Sequence, residues 1–205
     1  MSTAKDLFIV ALDPKAQRPV GQGDLSLALA GAELIDLLGA GTVSLDGDRI
    51  VPGEAPAPAD RLLAEAASAL VRRTPYERVD DWLWRRGRDL AAVYQSSLEE
   101  DGRLTRTKGG RSPFGPDRLE PADTPERRSA LDRVERHDPV LTQLAVAVGL
   151  DEGRAETDGE SERDPGDEAV TTVLAVVHDA VMELEAVRQR RSIENAAFAN
   201  VWRVP

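Results

Sequence analysis

The sequence predicts a mainly α-helical fold: a single globular helical domain around a buried central helix, with one or two small β-hairpins. Three observations predict it. Apolar residues recur at helical spacing in several segments, two segments begin with a capping residue followed by proline, and two short β-type runs flank a glycine turn. An apolar content of 41% is enough for a hydrophobic core, so we expect the chain to fold.

The central helix is predicted in the segment LSLALAGAELIDLLGAG, which follows Asp24. Leu25, Leu29 and Ile35 follow helical spacing, and further leucines cover the other faces. A helix that is apolar on most faces is one that protein surrounds. We therefore expect the rest of the domain to pack around this helix.

The other elements follow from local signals. A short apolar helix or strand precedes the central helix at residues 5–12, and residues 42–51 form a hairpin around Gly47. The remaining predicted helices are one ending near Thr74–Pro75, one containing Trp82, one containing Leu90 and Leu98, one from Thr124–Pro125 to Arg136, and one from Asp138–Pro139 to Val148.

The chain is expected to have three parts. Residues 1–150 form the helical domain, residues 151–168 an acidic flexible linker or loop, and residues 169–205 a C-terminal helix that packs back on the domain. The acidic segment holds nine acidic residues against two arginines and no apolar residue larger than Ala. An apolar stripe from Val170 to Leu184 marks the last helix, and Phe198 and its neighbours extend this stripe after a break.

Composition excludes several classes of function. A net charge of −11 argues against nucleic-acid binding, and the absence of cysteine excludes disulfides, thiolate zinc sites and cysteine nucleophiles. The two histidines, His137 and His178, stand alone, so no catalytic residue, metal site or cofactor is expected. No apolar run reaches the length of about 20 residues that a spanning helix needs, and the N-terminus lacks a signal-peptide pattern. A cytoplasmic location is therefore expected.

One basic cluster invites a binding hypothesis. Arg85, Arg86 and Arg88 lie beside Trp82 and Trp84, and guanidinium groups suit phosphate oxygens. If this cluster binds phosphate, its three arginines are expected to converge on one concave surface. The alternative is that the first tryptophan fills the core while the arginines pair with nearby acids.

A second basic segment is the predicted loop RLTRTKGGRSPFGPDR, residues 103–118. It carries five basic residues against one acid, and Gly109–Gly110 is typical of a hairpin tip. The candidate contacts with a membrane or with another subunit are Arg106, Lys108, Arg111 and Phe114. The alternative is a solvated loop whose phenylalanine packs back on the domain.

The order and spacing of four segments resembles the Golgi phosphoprotein 3 family, and in particular its bacterial members. These segments are DLFIVALD (6–13), LAGAELIDL (29–37), VSLDGDRIV (43–51) and LEEDGRL (98–104). Eukaryotic members of that family bind phosphatidylinositol 4-phosphate on membranes. The resemblance, which covers residues 6 to about 150, implies a helical domain with a basic lipid pocket beside a hairpin that contacts membranes and forms oligomers.

The resemblance also implies which residues form the pocket. Family members use a tryptophan before the central helix, an arginine within it, and two arginines three residues apart at the start of the helix that ends at Gly102. These positions fall on Gly21, Ala30, Arg88 and Ala91, of which Arg88 alone carries the family residue. Three further arginines could rebuild an anion site nearby: Arg85, Arg86 and Arg18.

Two functions remain open. The first is a non-catalytic peripheral membrane adaptor on the inner face of the membrane, whose basic face contacts an anionic, phosphoinositide-like phospholipid. The second is a soluble cytoplasmic interaction or scaffold protein that kept the fold and lost phosphoinositide recognition, acting through a protein partner or a homo-oligomer.

Overall fold

A computed structural model of the chain describes residues 2–13, 20–107, 118–150 and 167–201, with the backbone alone at 106–107, 118 and 196–201. The described helices are α1 (Thr3–Ala11), α2 (Gln22–Gly39), α3 (Arg61–Ser68), α4 (Val79–Arg86), α5 (Leu90–Glu100), α6 (Pro125–Glu135), α7 (Pro139–Ala147) and α8 (Glu168–Val201). Two antiparallel pairs complete the described part: β1 (Val43–Asp46) with β2 (Arg49–Pro52), and β3 (Leu104–Thr107) with β4 (Arg118–Pro121). The predicted fold class is confirmed.

Helix ends are set by the signals in the sequence. The Thr124 hydroxyl accepts a hydrogen bond from the Arg127 amide at 3.2 Å, and the Asp138 carboxylate accepts one from the Leu141 amide at 3.0 Å. In both cases proline occupies the first turn, where its missing N–H costs nothing. Gly102, with a φ of +67°, follows the end of α5.

Helix α2 is the centre of the core and packs against α1, α4, α5 and α8. All of its leucines except Leu38 are almost completely buried between these helices, as the apolar sequence predicts. Trp82 of α4 is fully buried against α2, and its indole N–H donates to the Ala30 carbonyl at 3.1 Å. This contact fixes the position of α4 beside α2, which matters for the cleft described below.

Helix α8 continues through the break that the sequence shows in its apolar stripe after Leu184. It runs unbroken to Val201, because residues 185–200 contain neither glycine nor proline. Val173 and Val177 are buried against the domain, whereas every residue from 189 to 195 is exposed. The first half of α8 is therefore part of the core.

The β1–β2 hairpin turns at Gly47, which has a φ of +59°. It is tied to the segment before α4, because the Ile50 amide donates to the Glu77 carbonyl at 2.9 Å. The second hairpin consists of β3 and β4, which lie at the two ends of the predicted basic loop. The predicted tip of the basic loop and most of the predicted acidic linker lie outside the described residues.

Candidate functional site

A cleft of about 480 Å³ opens between the first turns of α2 and the start of α5. Helix α4 and the middle of α8 form its remaining walls. The residues that line it are Gln22, Gly23, Ser26, Leu27, Trp84, Gly87, Arg88, Asp89, Ala92 and Leu184. Its wall thus combines apolar side chains with one cation and one carboxylate.

The turn between α4 and α5 presents Arg88 to this cleft. Gly87 ends α4 close to other backbone groups, and a Cβ there would lie 2.5 Å from the Leu83 carbonyl oxygen. Asp89 then adopts a left-handed conformation with a φ of +56°. The Ser26 hydroxyl accepts a hydrogen bond from the Ala91 amide at 3.0 Å, which ties the start of α5 to α2. The exposed Arg88 is thereby held on a fixed backbone.

Arg88 has no ion pair with any residue that the structure describes. It is the one member of the predicted arginine cluster in the cleft wall. No described residue takes up the donors of its guanidinium, which suit water or an anion.

Arg85 is engaged elsewhere. Its Nε and Nη2 donate to the two carboxylate oxygens of Glu77 at 2.6 and 2.7 Å, and Nη2 also donates to the Ala69 carbonyl at 3.1 Å. The hydrogen bonds that Arg85 donates to Glu77 raise the pKa of the Arg85 guanidinium. The guanidinium carbon lies 5.2 Å from the centre of the Trp82 ring, a cation–π geometry. Arg85 is therefore a partner of Glu77 and not of the cleft.

Arg86 is committed to the protein interior. Its Nε and Nη2 donate to the two oxygens of Glu33 at 2.7 and 2.9 Å, and the Tyr94 hydroxyl donates to the same carboxylate at 3.1 Å. Glu33 is completely buried in α2, and this burial raises its pKa. The three arginines thus do not converge on one surface, and the alternative of pairing with nearby acids describes Arg85 and Arg86.

The other predicted contact residues cannot be placed. Arg18, Lys108, Arg111 and Phe114 lie outside the described residues, and of Arg106 the structure describes the backbone in β3. A role in binding for each of them stays a prediction.

The cleft also contains residues that sequence reasoning missed. Leu184 of α8 belongs to its wall, and Arg188 follows one helical turn later. The α2 end contributes Gln22 and Gly23. The apolar stripe of α8 showed that Leu184 faces the domain, but no local signal could show which part of the domain it meets.

Comparison with known families identifies the chain. The model of the family described as Golgi phosphoprotein 3 (GPP34) matches residues 4–190, nearly the whole sequence. The chain belongs to this family. No curated protein matches the chain in a sequence comparison.

Of the four positions that the resemblance assigns to the lipid pocket of the Golgi phosphoprotein 3 family, Arg88 alone is in the wall of this cleft. Gly21 is the residue directly before α2, while Ala30 and Ala91 are almost completely buried. Small residues therefore occupy three of the four positions, and Arg88 faces the cleft at the fourth.

No described helix is both long enough and apolar enough to cross a membrane. Within the same residues, no three His, Asp or Glu side chains are grouped as ligands of one metal ion.

Proposed function

We propose that this member of the Golgi phosphoprotein 3 family is a non-enzymatic peripheral membrane adaptor. It binds the phosphorylated headgroup of an anionic phospholipid in the cleft. One observation carries the proposal: Arg88, without an ion pair among the described residues, stands in the wall of a cleft. The resemblance to the family assigns the same residue to its lipid pocket. An unpaired guanidinium in a concave site suits a phosphate group.

The first turn of α2 adds to the attraction for an anion. The first intrahelical bond of α2 runs from the Leu25 amide to the Gly21 carbonyl, so the amides of residues 22–24 have no acceptor within the helix. Gly21 has no side chain to cap them. Gln22 and Gly23 lie in the cleft wall, so the positive end of the helix dipole is near a bound phosphate.

The shape of the cleft suits a ligand with an apolar part. Leu27 and Leu184 form an apolar wall, and Trp84 lies beside them with 39% of its surface exposed. An indole at the mouth of a site can pack on a ring or enter the interfacial layer of a bilayer. The protein can therefore bind the headgroup and contact the membrane surface with the same face.

The charge balance predicts weak, salt-sensitive binding. Asp89 stands in the wall next to Arg88, and the chain carries a net charge of −11. Each basic residue near an anionic bilayer contributes about 1 kcal/mol, and salt screens this attraction. Binding is expected to be strongest at low ionic strength.

The test is co-sedimentation with phosphatidylcholine vesicles that are plain, contain phosphatidylinositol 4-phosphate, or contain phosphatidylserine at matched charge. The chain should sediment with the phosphoinositide vesicles, and Arg88→Ala should weaken this binding about tenfold or more, because a hydrogen-bonded charge is lost. The matched control is Arg73→Ala, which removes an exposed arginine outside the cleft wall. It should weaken binding less than about twofold.

The second candidate function is a protein-interaction or scaffold role. It is favoured by the small residues at Gly21, Ala30 and Ala91, which remove three of the family's lipid contacts. This function predicts no sedimentation with any vesicle at low salt. If Arg88→Ala and Arg73→Ala weaken vesicle binding equally, this result would also contradict a lipid site in the cleft.

A further inference from the structure

Arg188 borders the cleft from α8, at a position outside the family's known pocket. It lies four residues after Leu184, which belongs to the cleft wall, so the two share one face of the helix. Its side chain is 39% exposed. Arg188 would thus place a cation on the α8 side of the cleft, next to the first turn of α2, whereas the start of α5 lies on the other side.

The guanidinium is held from one side and free on the other. Its Nη1 donates to both carboxylate oxygens of Asp24, at 2.8 and 2.6 Å, and lies 3.6 Å from a carboxylate oxygen of Glu185. Its Nη2 and Nε have no hydrogen-bond partner among the described residues. The two carboxylates therefore orient Arg188 and leave three of its five N–H donors available.

The free nitrogen lies against the cleft wall. A Cβ built on Gly23 would lie 2.9 Å from Nη2 of Arg188 and 2.8 Å from Cδ2 of Leu184. Gly23 and Leu184 both belong to the wall, so the missing Cβ of Gly23 is what lets Nη2 approach from that side. Without such a role, a glycine at this position would only lower stability, because glycine weakens a helix relative to alanine.

We propose that Arg188 is the second cation of the cleft and donates from Nη2 to a bound phosphomonoester. Asp24 is its positioning residue. This inference rests on the proposed function and deepens it. Asp89 offsets the charge of Arg88, and Asp24 and Glu185 offset that of Arg188, so the second arginine adds directed donors rather than net charge. A phosphomonoester, which carries nearly two negative charges at neutral pH, has enough acceptor oxygens to take hydrogen bonds from both guanidinium groups.

Arg188→Lys and Arg188→Ala test this proposal in the full chain, with vesicles of phosphatidylcholine and phosphatidylinositol 4-phosphate. A lysine keeps the charge and the pair with Asp24, but one ammonium group cannot also present a second nitrogen at Gly23. Both variants should bind about tenfold more weakly than the original chain. The charge-matched control is Arg191→Ala on the same helix, which should cost less than about twofold.

Two glycine variants test the geometry. Gly23→Ala forces the ends of Leu184 and Arg188 to move and should weaken binding about as much as Arg188→Lys does. Gly39→Ala makes the same change at the other end of α2, where a Cβ meets nothing within 4 Å, and should leave binding unchanged. Asp24→Asn should weaken binding in the original chain and have no further effect beside Arg188→Ala, which a purely structural role would not produce.

The outcomes separate this inference from the proposed function. Suppose that Arg88→Ala abolishes binding, while both Arg188 variants bind vesicles as well as Arg191→Ala does. Then Arg188 is not a second cation of the cleft, and the cleft remains a lipid site. Equal binding by Gly23→Ala and Gly39→Ala would likewise overturn the placement of Nη2. If the original chain binds no vesicle, the proposed function fails and this inference fails with it. Circular dichroism and thermal unfolding establish that each variant is folded.

Discussion

Arg86→Ala is expected to lower the free energy of unfolding by about 3–5 kcal/mol, the usual cost of removing one partner from a buried ion pair. Glu33 would keep the Tyr94 hydroxyl and lose two charge-assisted hydrogen bonds while remaining enclosed in α2. The measurement is chemical denaturation followed by circular dichroism. The control is Arg78→Ala, which breaks an exposed pair with Asp48 and should cost less than about 1 kcal/mol.

A second substitution and the pH dependence identify the cause of this loss. Adding Glu33→Gln to Arg86→Ala removes the unpaired charge and should restore a large part of the stability. Burial already raises the pKa of Glu33 above its ordinary value of 4.5, and losing Arg86 raises it further. A carboxyl whose folded pKa is raised destabilises the fold above that pKa and ceases to do so as the pH falls toward 4.5.

The loss in free energy of unfolding caused by Arg86→Ala should therefore become smaller when the pH is lowered from 7 toward the ordinary pKa of Glu33. A deficit that is independent of pH would show that lost packing, and not an unpaired carboxylate, is responsible. A loss no larger than that of Arg78→Ala would contradict the buried pair itself.

Gly31→Ala is expected to destabilise the fold by about 1–3 kcal/mol through overpacking. A Cβ at this position would lie only 2.2 Å from Cγ2 of Val177, so α2 and α8 must separate or shift. In an open helix the same substitution would stabilise by about 0.5–1 kcal/mol. Denaturant unfolding of the variant measures which effect prevails.

Gly39→Ala is the matched control for this prediction, since its Cβ meets nothing within 4 Å. It should leave stability unchanged or raise it slightly. Adding Val177→Ala to Gly31→Ala removes the methyl group in the way and should recover part of the loss. If Gly31→Ala is as stable as Gly39→Ala, α2 and α8 do not approach as closely as described.

The helices could be predicted from the sequence because their signals are local. Thr124–Pro125 and Asp138–Pro139 act as caps within three residues, and the apolar face of α2 repeats within each turn. The first hairpin depends on Gly47 and its neighbours alone. The gap in the apolar stripe of α8 corresponds to the exposed residues 189–195, where the helix continues away from the core. A helix can leave the core and continue without an apolar stripe.

The cleft could be predicted only in part. Arg88 stood out through its basic neighbours, yet those neighbours turned out to be paired with Glu77 and Glu33. The second of these partners lies 53 residues away in the chain, so no local pattern reveals it. The contribution of α8 depends on packing between residues 164 apart, such as Asp24 and Arg188.

The central claim is that the cleft holds a phosphorylated headgroup through Arg88. The most direct measurement is a titration of the chain with water-soluble inositol 1,4-bisphosphate, which carries the headgroup without the membrane, followed by amide NMR. The account predicts saturable shifts at residues 22–27, 87–92 and 184–188, with binding weakened about tenfold in Arg88→Ala. Absence of saturable shifts there, or equal shifts in the original chain and Arg88→Ala, would contradict it.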